Sequence, residues 1–262
     1  MKIATWTVNS IRVRADAVAA WLASKRPDVL CLQEIKVEEK DFPAERFREL
    51  GYRSAVSGQK TYNGVAILTR EAPENEVADV VAGFADGADE DPQRRVLRAT
   101  VGGVRVVNVY CPNGEDVTSE KYPYKLAWFV RLRRMLDTQE DATKPVVMVG
   151  DFNVAPADLD VHAPDRWKGK VLCTDAERAA LADVRAWGLA DCLRQLHPDT
   201  PKVFTWWDYR LAAFNRGWGM RIDHVLASPP LAARLTACAV DVEPRRAERP
   251  SDHAPVYADF GA

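Results

Sequence analysis

Short apolar runs alternate with longer segments of helical periodicity along most of this chain. The runs span roughly four to eight residues and are bounded by Pro, Gly or Asp, a pattern typical of β-strands. They predict strands at residues 2–8, 28–33, 64–69, 95–101, 104–110, 145–151, 222–227 and 255–260. Helical periodicity predicts helices at residues 16–24, 43–50, 120–136 and 174–187. This alternation indicates an α/β protein.

Two local motifs add detail to this pattern. Gly102 and Gly103 separate two predicted strands and supply the positive φ angles that a two-residue hairpin turn requires. Part of the sheet is therefore expected to be antiparallel. Glu177 lies three residues after Thr174, the spacing of a capping box, which predicts that the fourth helix begins there.

The composition is that of a soluble globular protein. Of the 262 residues, 47% are hydrophobic and 28% are charged, which excludes fibrous, disordered and coiled-coil classes. We predict one domain over residues 1–262. The net charge of −2 excludes a general basic attraction for polyanions, so a nucleic acid would have to be bound by a local patch.

The cysteines and the apolar segments predict a cytoplasmic location. The five cysteines, an odd number, include no C-x-x-C pair, which argues against a disulfide framework and a structural zinc site and favours a reducing compartment. Neither a signal-type apolar stretch nor a run of about 18 apolar residues occurs.

One acidic stretch, residues 71–92, contains eight acidic residues and no Lys or Arg. It is interpreted as a solvated connection between strands, with an acidic interaction surface as the alternative.

Polar side chains follow or begin several of the apolar strands. Glu34 follows one strand, Asp151 and Asn153 follow another, Asp223 lies within a third, and a Ser-Asp-His segment that ends at His253 precedes the last. A single residue of this kind could be a turn former or a helix cap, but four such positions favour a site built on strand ends.

The residue types at these positions indicate a metal-assisted reaction. Carboxylate and amide oxygens suit a hard cation such as Mg²⁺ or Mn²⁺. Such a cation, a carboxylate base and a His–Asp pair together suit the hydrolysis of a phosphate ester. A serine nucleophile is disfavoured because no G-x-S-x-G motif is present.

These segments resemble, in order, the motifs of the exonuclease III family of apurinic/apyrimidinic endonucleases. The segments are WTVNSIR at 6–12, LQEIK at 32–36, NGVAIL at 63–68, YCPNG at 110–114, GDFN at 150–153, RID at 221–223 and SDHAP at 251–255. They also match the wider endonuclease/exonuclease/phosphatase superfamily. The segments QRR at 93–95, WGLAD at 187–191 and FTWWDYR at 204–210 resemble the bacterial DNA-repair branch.

The resemblance implies a fold and a metal site. The fold would be a four-layer α/β sandwich, in which two mixed β-sheets pack face to face and are flanked by helices. Glu34 would be the main Mg²⁺ ligand, with Asn9 nearby and Asp252 completing the shell, and Mn²⁺ could replace Mg²⁺.

The resemblance also implies catalytic roles. Asp151 would activate or orient the attacking water, and Asn153 would hold that water or a phosphate oxygen. Asp223 would orient His253, which would contact the scissile phosphate, and Tyr110 would bind the phosphate. A histidine paired with a carboxylate gains basicity and a fixed orientation, so it can hold charge against a developing oxyanion.

A second group of residues is expected to bind the DNA. A sugar that lacks its base can enter a small apolar pocket, because it costs less to flip than a stacked nucleotide. By its position in the family motif, Trp206 would form this pocket, with Phe204 and Leu226 as its neighbours. The other expected substrate-binding residues are Asn113, Trp218, Arg94 and Lys36. Compared with the family pattern, residues 219–220 lengthen the loop between Trp218 and Arg221, so the role of Trp218 is left open.

Thr7 departs from the family motif, which has Asn at this position. A threonine hydroxyl offers fewer hydrogen bonds than an amide. Thr7 could mark a natural branch with altered activity or a change introduced to impair catalysis, or it could simply suit a strand. We hypothesise that Thr7 lowers the reaction rate without preventing folding.

The expected function is Mg²⁺-dependent cleavage of double-stranded DNA 5′ to abasic sites in base excision repair. A 3′→5′ exonuclease or 3′-phosphatase activity on blocked 3′ ends is expected as well. The protein is expected to be a monomer that does not bind a membrane. The alternatives are another superfamily phosphoesterase, acting on an inositol phosphate or lipid head group, and a DNA-binding protein whose catalysis Thr7 impairs.

Overall fold

The computed structural model describes residues 1–87 and 91–261. Its strands are β1 (Lys2–Thr7), β2 (Val29–Gln33), β3 (Tyr52–Ser57), β4 (Val65–Arg70), β5 (Val77–Ala82), β6 (Val96–Val101), β7 (Val104–Tyr110), β8 (Val146–Asp151), β9 (Ala190–Asp191), β10 (Trp206–Trp207), β11 (Gly219–Met220), β12 (Asp223–Ala227), β13 (Leu235–Val240) and β14 (Val256–Phe260). Its α-helices are α1 (Ile11–Lys25), α2 (Ala44–Arg48), α3 (Lys121–Gln139), α4 (Pro164–Trp167), α5 (Asp175–Arg185), α6 (Cys192–Leu196) and α7 (Pro229–Ala232). None of these helices has both the length and the apolar character needed to cross a bilayer.

Two six-stranded sheets form the centre of the molecule. Their strand orders are β13-β14-β1-β2-β4-β3 and β5-β6-β7-β8-β12-β9. In the first sheet β1 is parallel to β2, in the second β7 is parallel to β8, and the other neighbours pair antiparallel. Both sheets are therefore mixed, as predicted.

The central strands are buried on both faces, and their side chains alternate between two apolar layers. In β1, Ile3 packs between the sheets, whereas Ala4 and Trp6 pack beneath α1. In β8, Val149 lies between the sheets and Met148 lies under α3 and α5. Helices thus cover the outer faces of both sheets, which confirms the four-layer α/β sandwich.

The eight predicted strands are confirmed, and all of them occupy interior positions in the two sheets. The sequence pattern missed the edge strands β3, β5, β9 and β13. Edge strands expose much of one side, as the four exposed residues within β5 show, so they lack a continuous apolar run. The interpretation of residues 71–92 as a connection was therefore incomplete, because β5 lies within it; residues 88–90 lie outside the described part.

The helix and turn predictions agree with the structure apart from their bounds. Thr174 and Glu177 form the predicted capping box, and Gly102 and Gly103 turn between β6 and β7 with φ angles of 54° and 78°. Helix α1 begins earlier than predicted, at Ile11. Ser10 occupies the N-cap position, but its side chain makes no capping hydrogen bond and the first turn has no acidic residue, so the sequence signal of this helix start is weak.

Candidate active site

The predicted site residues converge at one edge of the sandwich. Glu34 follows β2, Tyr110 ends β7, and Asp151 ends β8. Asp223 begins β12 and pairs with Asp151, because β12 runs antiparallel to β8. His253 lies just before β14, which is antiparallel to β1. The strand directions thus bring residues from distant parts of the chain to the same edge.

Three predicted site residues that follow strands β1, β2 and β8 hold an uncommon backbone conformation. Asn9, Glu34 and Asn153 have φ angles of 47°, 52° and 50°. Non-glycine residues rarely adopt this left-handed region, which costs on the order of 1 kcal/mol or more unless the surroundings stabilise it. The chain thus turns sharply where each strand ends, and the turn fixes the direction of the side chain.

A buried histidine lies between carboxylates at the centre of the site. The Nδ1 atom of His253 donates to Asp223 Oδ2 over 2.8 Å, and its Nε2 atom lies 3.9 Å from Asp151 Oδ2. Burial alone would lower the pKa of His253, but Asp223, Asp151 and Asp252 outweigh burial and raise the pKa to about 10. The imidazole is therefore held as a cation that can face a phosphate.

Asp151 has the opposite character. Burial raises the pKa of its carboxyl group well above the ordinary range; His253 opposes this rise and Asp223 adds to it. The carboxylate accepts from the backbone N–H of Asn153 at 2.9 Å and from the Asn153 amide at 3.1 Å. Asp151 is therefore an oriented group with raised basicity, as a general base requires.

Two amide side chains and a buried lysine extend this network. The side-chain amide of Asn113 donates to the side-chain oxygen Oδ1 of Asn153 at 2.9 Å. Beneath them, the Lys125 ammonium donates to the backbone carbonyls of Asn113 and Asn153 at 2.9 and 2.7 Å and to Glu177 at 2.5 Å. Sequence reasoning missed Lys125, which ties together the loops that carry both amides.

The predicted metal ligands form a neighbouring group. The Tyr110 hydroxyl donates to Glu34, and Lys36 Nζ lies 3.4 Å from Glu34 Oε2. Lys36 also donates to Asn9 Oδ1 at 2.6 Å, and the Asn9 amide donates to Asp252 at 3.0 Å. Asn9 therefore connects the Glu34 side of the site to the Asp252 side.

The donor set fits a divalent cation. Asp151, Asp223 and His253 each offer one ligand atom, and these atoms lie within 4.8 Å of one another. This trio differs from the predicted ligands Glu34, Asn9 and Asp252. His253 already donates Nδ1–H to Asp223, so the carboxylates are the better ligands. Three carboxylates, those of Asp223, Asp151 and Asp252, face one imidazolium, so negative charge is in excess here, and oxygen donors suit a hard cation.

Thr7 is fully buried directly behind the His–Asp pair. Its hydroxyl lies 3.1 Å from Asp223 Oδ1 and 3.2 Å from Gln33 Oε1. The Gln33 amide donates in turn to Thr5 and to Asn108, which donates to carbonyls of the opposite sheet. This polar network between the sheets supports Asp223, and sequence reasoning missed its members Gln33 and Asn108.

A small apolar cluster lies next to His253. Trp206 pairs with His253 through a β-bridge, its indole donates to Asp252 Oδ2 at 3.1 Å, and it packs with Met220 and Ile222. Sequence reasoning found Trp206 but missed Met220 and Ile222, which only the pairing of β10 with β11 and the course of the chain into β12 bring beside it.

Two predicted pocket residues lie elsewhere. Leu226 is 1% exposed and packs beneath α3 and α5, because alternation along β12 directs it away from the face that carries Asp223. Phe204 is buried against Trp207 in a separate cluster. The prediction that either residue adjoins Trp206 in the pocket was therefore wrong.

A groove of about 780 Å³ opens on the other flank of the site. Glu34, Lys36, Tyr110 and Asn113 line it together with Gln59, Tyr62, Asn63, Gln93, Arg95, Pro112, Gly114, Glu115, Lys121 and Tyr124. Arg94, predicted to bind the substrate, is not among the residues that line this groove, whereas its neighbour Arg95 is and lies over the Tyr110 ring at 4.6 Å.

Comparisons with known proteins agree with this architecture. A model of the Endonuclease/Exonuclease/phosphatase family matches residues 4–253. Exodeoxyribonuclease III of Haemophilus influenzae is 36% identical over 271 residues, which cover 99% of this chain and 100% of that protein.

Two solved structures align with this chain over its full length and over the full length of their own chains (100% of each). A 3′ phosphatase from Neisseria bound to a product DNA hairpin has a TM-score of 0.94 and 47% identity. An AP endonuclease from Archaeoglobus fulgidus has a TM-score of 0.94 and 43% identity. With the site geometry, these findings show that the chain belongs to the endonuclease/exonuclease/phosphatase family and, within it, to the exonuclease III group of DNA-repair nucleases.

Proposed function

We propose that this chain is a Mg²⁺-dependent AP endonuclease of base excision repair that cuts double-stranded DNA 5′ to abasic sites. We assign it a related activity on blocked 3′ ends, as a 3′-phosphatase or 3′→5′ exonuclease. The observation that carries the proposal is the pairing of His253 with Asp223, opposite Asp151 and directly beside the apolar Trp206 cluster. Similar chains are described as a 3′ phosphatase and as an AP endonuclease, so one architecture hosts both activities.

The divalent cation would be held on the Glu34 side of the site and not by the Asp151–Asp223–His253 trio, because Asp223 already accepts from His253 and Asp151 already accepts from Asn153. Glu34 is the partly exposed carboxylate there, and Asn9 and Asp252 lie next to it through hydrogen bonds. When bound, such a cation neutralises charge on phosphoryl oxygens and on the leaving group.

The side chains of the chain itself supply the other requirements of hydrolysis. Asp151 accepts a proton from the attacking water, and its raised pKa suits this task. His253, protonated and fixed by Asp223, donates from Nε2 to a phosphate oxygen as negative charge develops. The amides of Asn113 and Asn153 fix the neighbouring oxygens, since both are held in place by hydrogen bonds.

Trp206, Met220 and Ile222 would receive the sugar of the abasic nucleotide. Their apolar surface adjoins His253, so a sugar placed there presents its 5′ phosphate to the histidine. An abasic sugar has lost its stacking and pairing, so moving it out of the helix costs less than flipping an intact nucleotide. This difference favours damaged over intact DNA.

We assign residues 1–262 to one catalytic domain that acts as a cytoplasmic monomer. The site takes residues from Asn9 to His253 and from both sheets, which supports one domain. Five free, buried cysteines suit a reducing compartment. Light scattering coupled to size exclusion tests the monomer: a single 29.2 kDa species is expected.

Cleavage of a labelled duplex with one tetrahydrofuran abasic analogue tests the function. An intact duplex and a 3′-phosphate end serve as the other substrates, each with Mg²⁺, Mn²⁺ or EDTA. We expect incision 5′ to the analogue with either metal and none with EDTA. Absence of cleavage in the protein and in a Thr7→Asn variant would direct attention to inositol phosphates and lipid head groups. Cleavage by Thr7→Asn alone would identify a DNA-binding protein impaired at Thr7.

A further inference from the structure

Trp218 is a tryptophan that the hydrophobic cores do not require. Its side chain is 37% exposed, on the loop before β11. One face of the indole stacks on the His162 ring, with the centroids 6.1 Å apart and the planes 18° from parallel. The Arg216 guanidinium lies over the indole, 4.6 Å from its centroid. The three side chains form what we call the arginine stack.

The base of the arginine stack is rigid. The His162 backbone N–H donates to the Gly219 carbonyl at 3.1 Å, and the Trp167 ring packs edge-on against His162. Trp218 itself donates its backbone N–H to Ala213 at 2.8 Å. A side chain at Gly219 would clash with Trp207 Nε1, because an added Cβ would lie 2.5 Å from it. These contacts anchor the loop that carries the Trp218 ring against His162.

The arginine stack adjoins the apolar pocket beside His253. Met220, two residues after Trp218, belongs to the Trp206 cluster, and Trp167 packs against the same cluster. The groove that contains Glu34 and Tyr110 is lined by none of the three stack residues. The stack is thus continuous with the pocket and separate from that groove.

Arg216 has the chemistry of a phosphate-binding group. Its side chain is exposed, and no carboxylate of residues 1–87 or 91–261 forms an ion pair with it. A guanidinium stays protonated at all relevant pH values and presents several N–H donors in one plane. The contact with the indole restricts the guanidinium group, which reduces the freedom lost when an anion binds.

We propose that Arg216, oriented by Trp218 and His162, binds the DNA backbone phosphate on the 3′ side of the abasic nucleotide. This inference rests on the proposed function. When DNA is cut 5′ to an abasic sugar in the pocket, the strand continues from that sugar past the pocket. A 3′-phosphate end has no strand beyond the group that is removed. Arg216 is therefore a specificity residue for internal abasic sites and contributes nothing to the removal of a 3′ phosphate.

The test compares Arg216→Ala and Trp218→Ala with a control variant, Arg53→Ala. The control removes an exposed arginine of β3 that pairs with Glu71. For incision of the tetrahydrofuran duplex, both stack variants are expected to raise KM about fivefold, the effect of one exposed charge contact. Arg216→Ala is also expected to reduce the slope of log affinity against log salt by about 0.9. Removal of a 3′ phosphate is expected to stay unchanged in all three variants.

Equal loss of incision and 3′-phosphate removal in Arg216→Ala would overturn the inference, and so would unchanged incision and salt slope. Thermal unfolding of each variant identifies a loss of activity caused by misfolding. Arg216→Lys keeps the charge but loses the planar guanidinium; relative to Arg216→Ala, it is expected to restore the salt slope but not the KM for incision. Failure of the unmodified protein to incise the abasic duplex would reject the proposed function itself, a result separate from these.

Discussion

Two buried clusters in this protein contain the same residue types but differ in charge balance. Asp223 and His224 are neighbours in β12, so their side chains point to opposite faces. Asp223 joins His253 and Asp151 in the candidate active site. His224 joins a second cluster around Arg221, on the other face of the strand.

The second cluster is electrically compensated. Arg221 donates to Asp160 at 2.7 Å and to Asp191 at 2.8 Å, and its Nη1 also donates to His224 Nδ1 at 2.9 Å. Arg194 donates to Asp160 as well, at 2.5 Å, so two guanidinium groups face two carboxylates. His224 Nε2–H donates to the Val154 carbonyl, which defines a neutral ring. Burial, and after it Arg221, lowers the pKa of His224 to about 4.

Charge balance, not residue type, therefore separates the structural cluster from the reactive one. Around His253, three aspartates raise the histidine pKa and leave negative charge in excess, so the site retains affinity for a cation. Around His224, each carboxylate already has a guanidinium. The compensated cluster stabilises the fold, and the uncompensated one is available for chemistry.

Asp223→Asn is expected to have the largest effect. The asparagine no longer stabilises a positive charge on His253 and can present an N–H to Nδ1, so the imidazole loses its orientation and protonation state. We expect kcat for abasic-site incision to fall by roughly 10³-fold or more, with the fold retained. Single-turnover kinetics and far-UV circular dichroism measure both. A fall below tenfold would contradict the role of the His–Asp pair.

The matched change in the other cluster, Asp191→Asn, is expected to affect stability instead. It leaves the buried Arg221 with one carboxylate fewer, so the free energy of unfolding should fall by about 3 kcal/mol. The folded fraction should keep kcat within about twofold, because Asp191 touches no site residue. Urea unfolding and kinetics on one preparation test this. A loss of kcat as large as that of Asp223→Asn would remove the distinction between the clusters.

The pH dependence of stability follows from His224. Its pKa is about 4 in the folded protein and near 6.5 when unfolded, so only the unfolded state binds this proton between those values. Stability should therefore be full above about pH 6.5 and decrease by up to about 3 kcal/mol as the pH falls to 4. Urea unfolding from pH 7 to 4.5 measures this. His224→Gln, which can keep both hydrogen bonds, should reduce the dependence of stability on pH. If this dependence is unchanged in His224→Gln, other groups cause it.

Thr7→Asn is expected to have the smallest effect. The Thr7 hydroxyl has one hydrogen for two acceptors, Asp223 and Gln33, whereas an amide offers two donors. One added buried hydrogen bond should raise kcat about fivefold at saturating Mg²⁺. Thr7→Val keeps the shape without the hydroxyl and should be slower than the unmodified protein. If Thr7→Asn is no faster, Thr7 does not limit the rate.

Sequence patterns predicted the features that depend on local order. Interior strands are continuous apolar runs, and the polar residues that follow them, such as Glu34 and Asp151, mark the site. The patterns missed contacts made only by tertiary structure. The hydrogen bond from Gln33 to Asn108 joins two sheets across 75 residues, and Met220 reaches Trp206 only through strand pairing. Leu226 was misplaced because the face of β12 that lines the site was not known.

The most direct test is an NMR titration of the two buried histidines in metal-free protein. Ring resonances assigned with His253→Gln and His224→Gln would report each pKa. The charge-balance account predicts that His253 stays protonated well above the ordinary value of about 6.5, whereas His224 stays neutral well below it. Titration of both histidines near 6.5 would contradict the account.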